Sequence, residues 1–397
     1  MIRCDALIAG GGPAGLAAAI ALRQKGLDVL VVEALQPPAD KACGEGLMPD
    51  AHAALAKLGI ALGSADGHRF TGISFCSPRH RADAQFPGAA GIGVRRTRLH
   101  SLLAERCHQI GVRLAWGQSV AIRLGEPVQV AGERCRYAYI VGADGQSSRV
   151  RSWAGLAQGS MWSRRFGLRR HYRVAPWNEM VEVHWGDLGQ AYVTPVAPNE
   201  VCVATVSCSS FARMDAVLAG LPVLRRRLER AAVLSTVRGA LTTTRRLRRV
   251  CAEGVALIGD ASGSADAVTG QGIALCFRQA ELLAQAVRAG DLARYAEGHT
   301  AILRLSQSMA RWMLCMDRFP WLRDRTIAAF SREPEIFRHM LAAHLGEEPF
   351  GRFLLRGGPH LAWQMLLPPR NHSLCDSGLG VELPDRLPNI QSYNRGR

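Results

Sequence analysis

The first residues whose spacing could support chemistry form a glycine-rich turn close to the N-terminus, Gly10-Gly-Gly-Pro-Ala-Gly15. Gly10 allows the chain to turn sharply after an apolar run, and Gly12 removes a side chain where a pyrophosphate would approach the backbone. Gly15 allows a helix to pack closely on the preceding strand. The first turn of that helix presents free N–H groups and the positive end of the helix dipole to phosphates. The spacing therefore predicts a dinucleotide site.

A carboxylate at the end of the next apolar run supports this prediction. Val29–Glu33 is typical of a buried parallel strand, and Glu33 lies at its carboxyl end. At that position an acid accepts hydrogen bonds from the ribose hydroxyls of an adenosine. A purely structural glycine turn is the alternative, and it leaves the position of Glu33 to coincidence.

Two later segments add further turns that could approach a cofactor. The strand beginning at Tyr139 runs into Asp144-Gly145, and a second buried strand ends in Gly259-Asp260, shortly before Thr269–Ile273. Together with the N-terminal turn, in this order, they resemble the FAD-dependent monooxygenase superfamily, which has the aromatic hydroxylase fold. The resemblance covers roughly residues 1–300 and implies FAD as the cofactor.

The resemblance also implies which residues contact the cofactor. Asp260 would bind the ribityl chain, and the helix N-terminus after Gly270 would face the pyrimidine end of the flavin, where the reduced ring carries negative charge. Arg96, at the start of a predicted helix, matches a position that helps to hold the cofactor. The expected cofactor-binding residues are Gly10, Gly12, Pro13, Ala14, Gly15, Glu33, Ala34, Lys41, Arg96, Asp144, Gly145, Gly259, Asp260, Gly270, Gln271, Gly272 and Ile273.

The loop at residues 40–49 is similar to the Cys-Gly loop of the geranylgeranyl reductase-like branch of the superfamily. It makes Cys43, Gly44 and Glu45 the catalytic candidates. Cys43 would lie over the flavin ring or be a small buried residue in a tight loop. Glu45 would be an acid or base, or only cap the next turn. Other positions depart from that branch, because its aromatic lipid-pocket motif is replaced by Ala191-Tyr-Val-Thr-Pro-Val196.

Composition limits the classes of function. The chain has 397 residues, 48% of them hydrophobic, and a formal net charge of +16 that comes from scattered arginines. Without a nucleic-acid motif, this charge favours a solvated basic face, or attraction of an anionic substrate or membrane, over nucleic-acid binding. The eleven cysteines form no disulfide or metal-ligand pattern, so we expect reduced thiols and no metal. The sequence shows neither a signal peptide nor a membrane-spanning stretch, which predicts a cytoplasmic protein, with peripheral membrane contact left open.

The predicted fold class is α/β: an FAD-binding Rossmann-like domain of the glutathione-reductase type, an inserted antiparallel β-sheet substrate domain, and C-terminal helices. The expected FAD-binding domain is discontinuous and comprises 1–65, 91–162 and 242–291. The substrate domain would comprise 66–90 and 163–241, including one helix at about 214–230. Residues 292–366 would be helical, and 367–397 a loose tail rich in Pro, Asn, Ser and Gly.

The chemistry expected from these parts is that of an FAD-dependent oxidoreductase. We expect a monooxygenase that hydroxylates or epoxidises an apolar aromatic, quinone or polyketide-like substrate through a C4a-hydroperoxyflavin. The alternatives are a prenyl-chain double-bond reductase and a flavin-binding protein without turnover. NAD(P)H, or a reductase partner, would supply electrons, since only one dinucleotide motif is present. His184 and Tyr192 are the candidates for the substrate pocket, although the sequence favours a satisfied structural histidine at His184.

Overall fold

The computed structural model describes residues 1–367, so the expected loose tail lies, apart from Leu367, outside the described residues. The described helices are α1 (Pro13–Gln24), α2 (Pro49–Lys57), α3 (Arg96–Gln109), α4 (Arg149–Trp153), α5 (Met214–Ala219), α6 (Pro222–Leu228), α7 (Gly272–Arg288), α8 (Leu292–Arg318), α9 (Pro320–Arg332), α10 (Pro334–Leu345) and α11 (Phe350–Leu366). Two short 3-10 helices occur at Gly259–Ser262 and Ala267–Thr269.

The described strands, in chain order, are β1 (Ile2–Arg3), β2 (Ala6–Ala9), β3 (Val29–Glu33), β4 (Gly46–Leu47), β5 (His68–Phe70), β6 (Gly72–Cys76), β7 (Arg81–Gln85), β8 (Gly91–Gly93), β9 (Arg113–Trp116), β10 (Val120–Ala121), β11 (Gln129–Val130), β12 (Glu133–Arg136), β13 (Tyr139–Gly142), β14 (Gly159–Arg173), β15 (Met180–Gly186), β16 (Gly189–Ala197), β17 (Glu200–Ser207), β18 (Ala232–Val233), β19 (Arg238–Leu247), β20 (Cys251–Ala252), β21 (Val255–Leu257) and β22 (Gly263–Ser264).

A six-stranded sheet carries the glycine turn. Its order is β20-β21-β13-β2-β3-β9, with every neighbouring pair parallel except β20 and β21. All four residues of β2 are buried, as expected for a central parallel strand that is covered on both faces. Helix α1 packs against α3 and α7 over this sheet. The glycine turn, Glu33 and the turn after β13 therefore meet at the carboxyl ends of adjacent strands, which confirms the predicted α/β fold.

A nine-stranded, mainly antiparallel sheet stands beside the first. Its order is β22-β19-β14-β17-β16-β15-β6-β7, and β18 adds to β14. Strands β14 and β19 pair almost continuously from Gly159 opposite Leu247 to Arg169 opposite Arg238. The predicted boundaries at 162/163 and 241/242 are wrong by several residues, because they would cut both members of this long ladder.

Two smaller sheets complete the strands, one of them four-stranded (β1-β12-β11-β10) and the other three-stranded (β4-β8-β5). The three-stranded sheet packs on β16 of the large sheet. At that contact a Cβ on Gly93 would lie 1.8 Å from the carbonyl oxygen of Pro195, so only glycine permits the approach. Since β4 directly follows the loop at residues 40–45, this packing holds the loop against the large sheet.

The predicted single helix at 214–230 is instead two helices, α5 and α6. The break lies at Gly220 and Leu221, because Pro222 occupies the first turn of α6 and cannot donate a backbone hydrogen bond to α5. Proline likewise begins α9 and α10.

Helices α9 and α10 pack on β7 at the outer end of the large sheet, and α8 packs against both of them. Their core is aromatic: the rings of Phe330 and Phe337 stack 4.7 Å apart, and Phe75 packs edge-on against the buried Trp185. Within residues 1–367, no helix combines the length and the apolar character that crossing a membrane requires.

Candidate functional site

One large cavity, of about 680 Å³, lies where the two large sheets meet. Its walls come from the glycine turn, the loop at residues 40–46, β15 and β16, and helices α7, α8 and α10. Most of the predicted cofactor and catalytic residues line it: Gly10, Gly12, Pro13, Ala14, Glu33, Ala34, Lys41, Cys43, Gly44, Glu45, Arg96, Asp144, Gly145, Asp260, Gly270, Gly272 and Ile273. Segments far apart in sequence therefore converge on one space.

The glycine turn has the geometry that a pyrophosphate needs. Gly10 has a φ of +112°, and a Cβ there would lie 2.4 Å from the carbonyl oxygen of Ala143. A Cβ on Gly15 would lie 1.8 Å from the carbonyl oxygen of Gly10, so Gly15 packs α1 on the turn and does not line the cavity. In contrast, a Cβ on Gly12 would meet no atom within 4 Å. Gly12 thus borders open space at an α1 N-terminus that has no side-chain cap.

Glu33 is held in place at the end of β3. Its Oε2 accepts a hydrogen bond from Gly11 N at 2.7 Å, and its Oε1 accepts one from Leu35 N at 3.0 Å. His100, which the sequence analysis did not single out, bonds through Nε2 to the carbonyl oxygen of Gly11 at 2.9 Å. Burial lowers the pKa of His100. A neutral imidazole thus supports the turn without adding charge.

The opposite side of the cofactor region carries Asp260 and Lys41, whose carboxylate and ammonium lie 3.6 Å apart. Asp144 accepts hydrogen bonds through Oδ2 from Arg149 N and Val150 N, and so caps α4. Its Oδ1 and the Nε of Arg96 are buried without a hydrogen-bond partner among the described residues. These unpaired groups, and the open space beside Gly12, fit a polar ligand of the size and charge of FAD.

Two more predicted cofactor residues, besides Gly15, lie outside the cavity lining and serve packing. Gln271 lies outside the cavity lining: its Nε2 donates to the carbonyl oxygen of His344 at 2.6 Å, and its Oε1 accepts from the Ser306 hydroxyl. Gly259 also lies outside the lining, and a Cβ there would lie 2.7 Å from the Cβ of Ala14. The Gln271 side chain therefore joins the start of α7 to α8 and α10, and Gly259 allows the turn after β21 to approach α1 closely.

The loop that carries Cys43 is fixed from several sides. Its carbonyl groups accept bonds from the large sheet, Thr194 Oγ1 to the Gly44 oxygen at 2.7 Å and Cys202 Sγ to the Cys43 oxygen at 3.7 Å. The Cys43 Sγ accepts from Glu45 N at 3.4 Å. Burial raises the pKa of the Cys43 thiol, so it is protonated at neutral pH. Cys43 is therefore a neutral, weakly polar group on the cavity wall.

Glu45 forms a buried charge network behind this loop. It has a φ of +60°, a left-handed conformation that is costly for a residue with a side chain. Its Oε2 accepts from His171 Nε2 at 2.7 Å, and its Oε1 accepts from Arg96 N at 3.0 Å and lies 3.7 Å from Arg169 Nε. Arg169 also pairs with Asp40. These bonds stabilise the strained residue and position the loop.

The donor atoms of Glu45, His171 and Cys202 lie within 4.8 Å of one another, a spacing compatible with a metal ion. The surroundings do not fit one. The guanidinium of Arg169 already supplies positive charge beside Glu45, and burial raises the pKa of Cys202 well above its usual value. The ligand atoms also have partners already: Cys202 Sγ donates to the carbonyl oxygen of Cys43, and the two carboxylate oxygens of Glu45 accept from His171 Nε2 and Arg96 N.

The other part of the cavity is apolar. Its walls are Met48, Phe70, Ile73, Phe75, Val181, Val183, Val268, Met309, Met313, Met340 and Leu341, with Tyr192 and His344 as polar residues. Tyr192 donates from its hydroxyl to Gln190 Oε1 at 2.6 Å, and burial raises its pKa, so the phenol is neutral. Burial lowers the pKa of His344 to about 4, so its imidazole is neutral as well. We call this region the apolar chamber.

The prediction that His184 faces the substrate pocket is wrong. Val181 and Val183 line the cavity, and side chains alternate along β15, so Glu182 and His184 face away from it. His184 Nε2 bonds to Glu182 Oε2 at 2.8 Å, and Arg81 pairs with the same carboxylate at 3.0 Å. His184 is the satisfied structural histidine that the sequence analysis favoured.

Comparison with known proteins agrees with this geometry. Residues 3–185 match the family model described as FAD binding domain. Menaquinone reductase from Mycobacterium tuberculosis is 29% identical over 328 residues, covering 73% of this chain and 78% of that protein. The sequence and the fold of this chain resemble those of the FAD-dependent monooxygenase superfamily. It is an FAD-dependent oxidoreductase.

Further proteins that are similar to this chain differ widely in the chemistry that their names describe. Digeranylgeranylglycerophospholipid reductase 2 from Methanococcoides burtonii is 27% identical, covering 72% of this chain and 76% of that protein. The crystal structure of p-nitrophenol 4-monooxygenase from Pseudomonas putida superposes with a TM-score of 0.73 at 18% identity, covering 87% of this chain and 99% of that one. At that identity the likeness establishes the fold and not the reaction.

Proposed function

We propose that this flavoprotein is a monooxygenase that inserts one oxygen atom from O₂ into an apolar aromatic, quinone or polyketide-like molecule. The observation that carries the proposal is the continuity of the cavity: the apolar chamber opens directly onto the FAD region beside the Cys43 loop. Bound FAD supplies the electron transfer and the reaction with oxygen. NAD(P)H, binding transiently, is the proposed electron donor.

The chamber residues supply a dry and neutral environment for such a reaction. Phe70, Phe75 and the valines of β15 exclude water, and they offer flat apolar contact to an aromatic ring. The charged residues of the lining lie on the glycine turn, on the loop at residues 40–46 and near Asp144 and Asp260. In our proposal the six-stranded sheet holds the cofactor, and the inner face of the nine-stranded sheet, with α8 and α10, holds the substrate.

Tyr192 is the proposed orienting group for the substrate. Because its hydroxyl donates to Gln190 Oε1, the phenolic oxygen retains lone pairs that can accept a hydrogen bond from a substrate hydroxyl. Gln190 is fixed in turn by Arg165 at 3.3 Å and by Asp317 at 3.2 Å. Replacement of Tyr192 by Phe should therefore raise the KM of a phenolic substrate more than that of one without a hydroxyl.

A second candidate function is reduction of a carbon–carbon double bond in a prenyl chain. The menaquinone reductase and the phospholipid reductase cover about three quarters of this chain, and Cys43 lies in the loop that resembles their branch. A neutral thiol on the cavity wall could give a proton to the reduced carbon. The missing aromatic motif at Ala191–Val196 favours the monooxygenase.

Isotope-labelled oxygen separates the two reactions. The FAD-loaded protein is incubated with NAD(P)H and ¹⁸O₂, and with two probes, an alkyl-substituted phenol and a prenylated quinone. A monooxygenase gives a phenol product that carries one heavy oxygen atom, and the product disappears under nitrogen. A product that gains two hydrogens under nitrogen, and that carries no labelled oxygen when it is formed under ¹⁸O₂, would replace this proposal with the reductase.

The Cys43→Ala variant provides the matching test inside the site. It should retain FAD, since the hydrogen bond that it loses, from Glu45 N to Cys43 Sγ at 3.4 Å, is a weak one to sulfur. For a monooxygenase it should change the peroxide released per NAD(P)H oxidised, whereas a reductase that uses the thiol as a proton donor should lose most of its turnover. Unchanged turnover, coupling and product would show that Cys43 is only a packing residue.

A further inference from the structure

The last described helix, α11, presents an unpartnered apolar face. Of its residues Phe350–Leu366, only Phe353 and Gln364 are buried. Four large apolar side chains are more than half exposed: Leu354 at 51%, Leu355 at 81%, Trp363 at 63% and Leu366 at 72%. Clusters of this kind on one element mark interaction surfaces.

The orientation of this face is fixed by how α11 is attached. Arg325 and Arg332 of α9 donate to the carbonyl oxygens of Met365 and Gln364 at 2.6 and 2.7 Å. Phe353 packs into the aromatic core beneath the helix. The attachment therefore uses one side of α11, and the opposite side has no contact with the described part of the chain that buries it.

The exposed side of α11 combines a narrow apolar arc with basic residues at its edge. At about 100° per residue, Leu355, Ala362 and Leu366 fall within one narrow arc, on the side opposite Phe353. Trp363 lies at the edge of that arc, next to the exposed Arg352 and Arg356. We call these residues, together with the exposed Leu354, the α11 face. The helix contains no Asp or Glu, so every charge that α11 itself carries is positive.

We propose that the α11 face docks this protein on an anionic membrane surface. The apolar arc would lie among the upper acyl chains, Trp363 would lie at the level of the headgroups, and the two arginines would reach the lipid phosphates. The chain as a whole carries a formal net charge of +16, which adds long-range attraction to an anionic bilayer. The inference does not depend on the reaction that the site catalyses.

Charge argues against a second copy of this chain as the occupant. In a two-fold pair through α11, each arginine would face the same basic stripe on its partner, and the repulsion would oppose contact. A membrane is also compatible with the position of the cavity. Helix α10 packs on α11 and lines the apolar chamber with Met340 and Leu341. An apolar substrate dissolved in the bilayer would thus be close to the chamber.

Vesicle co-sedimentation tests the proposal with the FAD-loaded full-length chain. The probes are large unilamellar vesicles of phosphatidylglycerol and phosphatidylcholine in equal parts, and vesicles of phosphatidylcholine alone. We expect strong binding to the first, weak binding to the second, and weaker binding to the anionic vesicles as salt increases. The double variant Arg352→Gln/Arg356→Gln should partition roughly thirtyfold less onto the anionic vesicles.

The apolar contribution is measured with matched serine variants. Leu355→Ser/Leu366→Ser should weaken partitioning at least about tenfold. The control is Leu124→Ser/Phe211→Ser, which removes side chains that are 90% and 93% exposed elsewhere on the molecule and should bind as the wild type does. Flavin absorbance and a thermal melt, unchanged in all variants, verify that each one is folded.

Three results would overturn the proposal. The first is a full-length chain that does not bind anionic vesicles, which would also be the result if residues 368–397 cover the helix. The second is an equal loss of binding in the control variant. The third is a dimer, seen by light scattering, that Leu355→Ser/Leu366→Ser dissociates, since this would make a second copy the occupant of the α11 face.

Discussion

Replacing Gly12 by alanine should separate cofactor binding from folding more cleanly than any other substitution in the glycine turn. Gly12 has a φ of −71°, which alanine adopts without strain, and an added Cβ would meet no protein atom within 4 Å. The stability of the apoprotein should therefore change by no more than about 0.5 kcal/mol. The same methyl group would occupy the space that the pyrophosphate needs.

The cost to the cofactor follows from the bonds that the methyl group would block. Losing one hydrogen bond between a backbone N–H and a charged phosphate costs about 1.5–3 kcal/mol, which is roughly one to two decades in Kd. At an FAD concentration of about 100 times the wild-type Kd, bound cofactor adds about 2.7 kcal/mol of stability, and a hundredfold weaker Kd leaves only about 0.4 kcal/mol.

Two measurements check this prediction: titration of apoprotein with FAD by flavin fluorescence, and chemical denaturation with and without FAD. The control is Gly15→Ala, whose Cβ would collide with the carbonyl oxygen of Gly10 and should destabilise the apoprotein itself. Wild-type FAD affinity in Gly12→Ala would refute the placement of the pyrophosphate at the α1 N-terminus, and so would a loss of apoprotein stability equal to that of Gly15→Ala.

Three further predictions concern the cofactor carboxylates, the Glu45 network and two buried histidines. Asp260→Ala and Glu33→Ala should each weaken FAD binding by about one to two decades in Kd. The control Asp291→Ala removes an exposed helix cap and should leave FAD binding unchanged. Unchanged FAD occupancy at limiting FAD in both site variants would contradict the assignment of Asp260 and Glu33 to the cofactor site. His171→Gln should cost roughly 1–3 kcal/mol of unfolding free energy and should also alter the flavin spectrum. Its control is His184→Gln, which breaks a similar His–Glu pair on the outer face of the sheet and should lower stability alone. Identical spectra in the two variants would argue against a link between the Glu45 network and the cofactor. Burial lowers the pKa values of His299 and His344 to about 4. Between about pH 6.5 and 4 the unfolded chain therefore binds more protons than the folded one, and stability falls as pH falls through that window, by up to about 3 kcal/mol for each histidine. The double variant His299→Gln/His344→Gln should flatten the dependence of Tm on pH there, and an unchanged slope would show that neither histidine is held neutral.

The parts of the site that the sequence predicted are those encoded in short, contiguous segments. The turn from Gly10 to Gly15, Glu33 at the end of β3, and Asp260 after β21 each depend on local spacing, and the parallel sheet then brings the strand ends together. The structure places Gly12 beside open space and packs Gly15 against Gly10, which is the division of roles that the spacing predicted.

The parts that were missed depend on register between distant strands. His171 and Arg169 reach Glu45 only because β14 crosses the loop at residues 40–46 in one register, and nothing near either residue in the sequence points to that contact. The error at His184 had a local signal, since Glu182 and His184 alternate with Val181 and Val183, which indicates opposite faces of β15. The division of the helix at 214–230 likewise had its signal in Pro222.

Identification of the flavin released from the purified protein tests the central claim most directly. The protein is denatured by heat, the precipitate is removed, and the supernatant is analysed by liquid chromatography and mass spectrometry. The architecture around Gly12, Glu33 and Asp260 predicts intact FAD, fully released and not covalently attached. FMN in the supernatant, flavin retained on the precipitated chain, or a protein that binds no flavin when supplied with FAD would contradict the account.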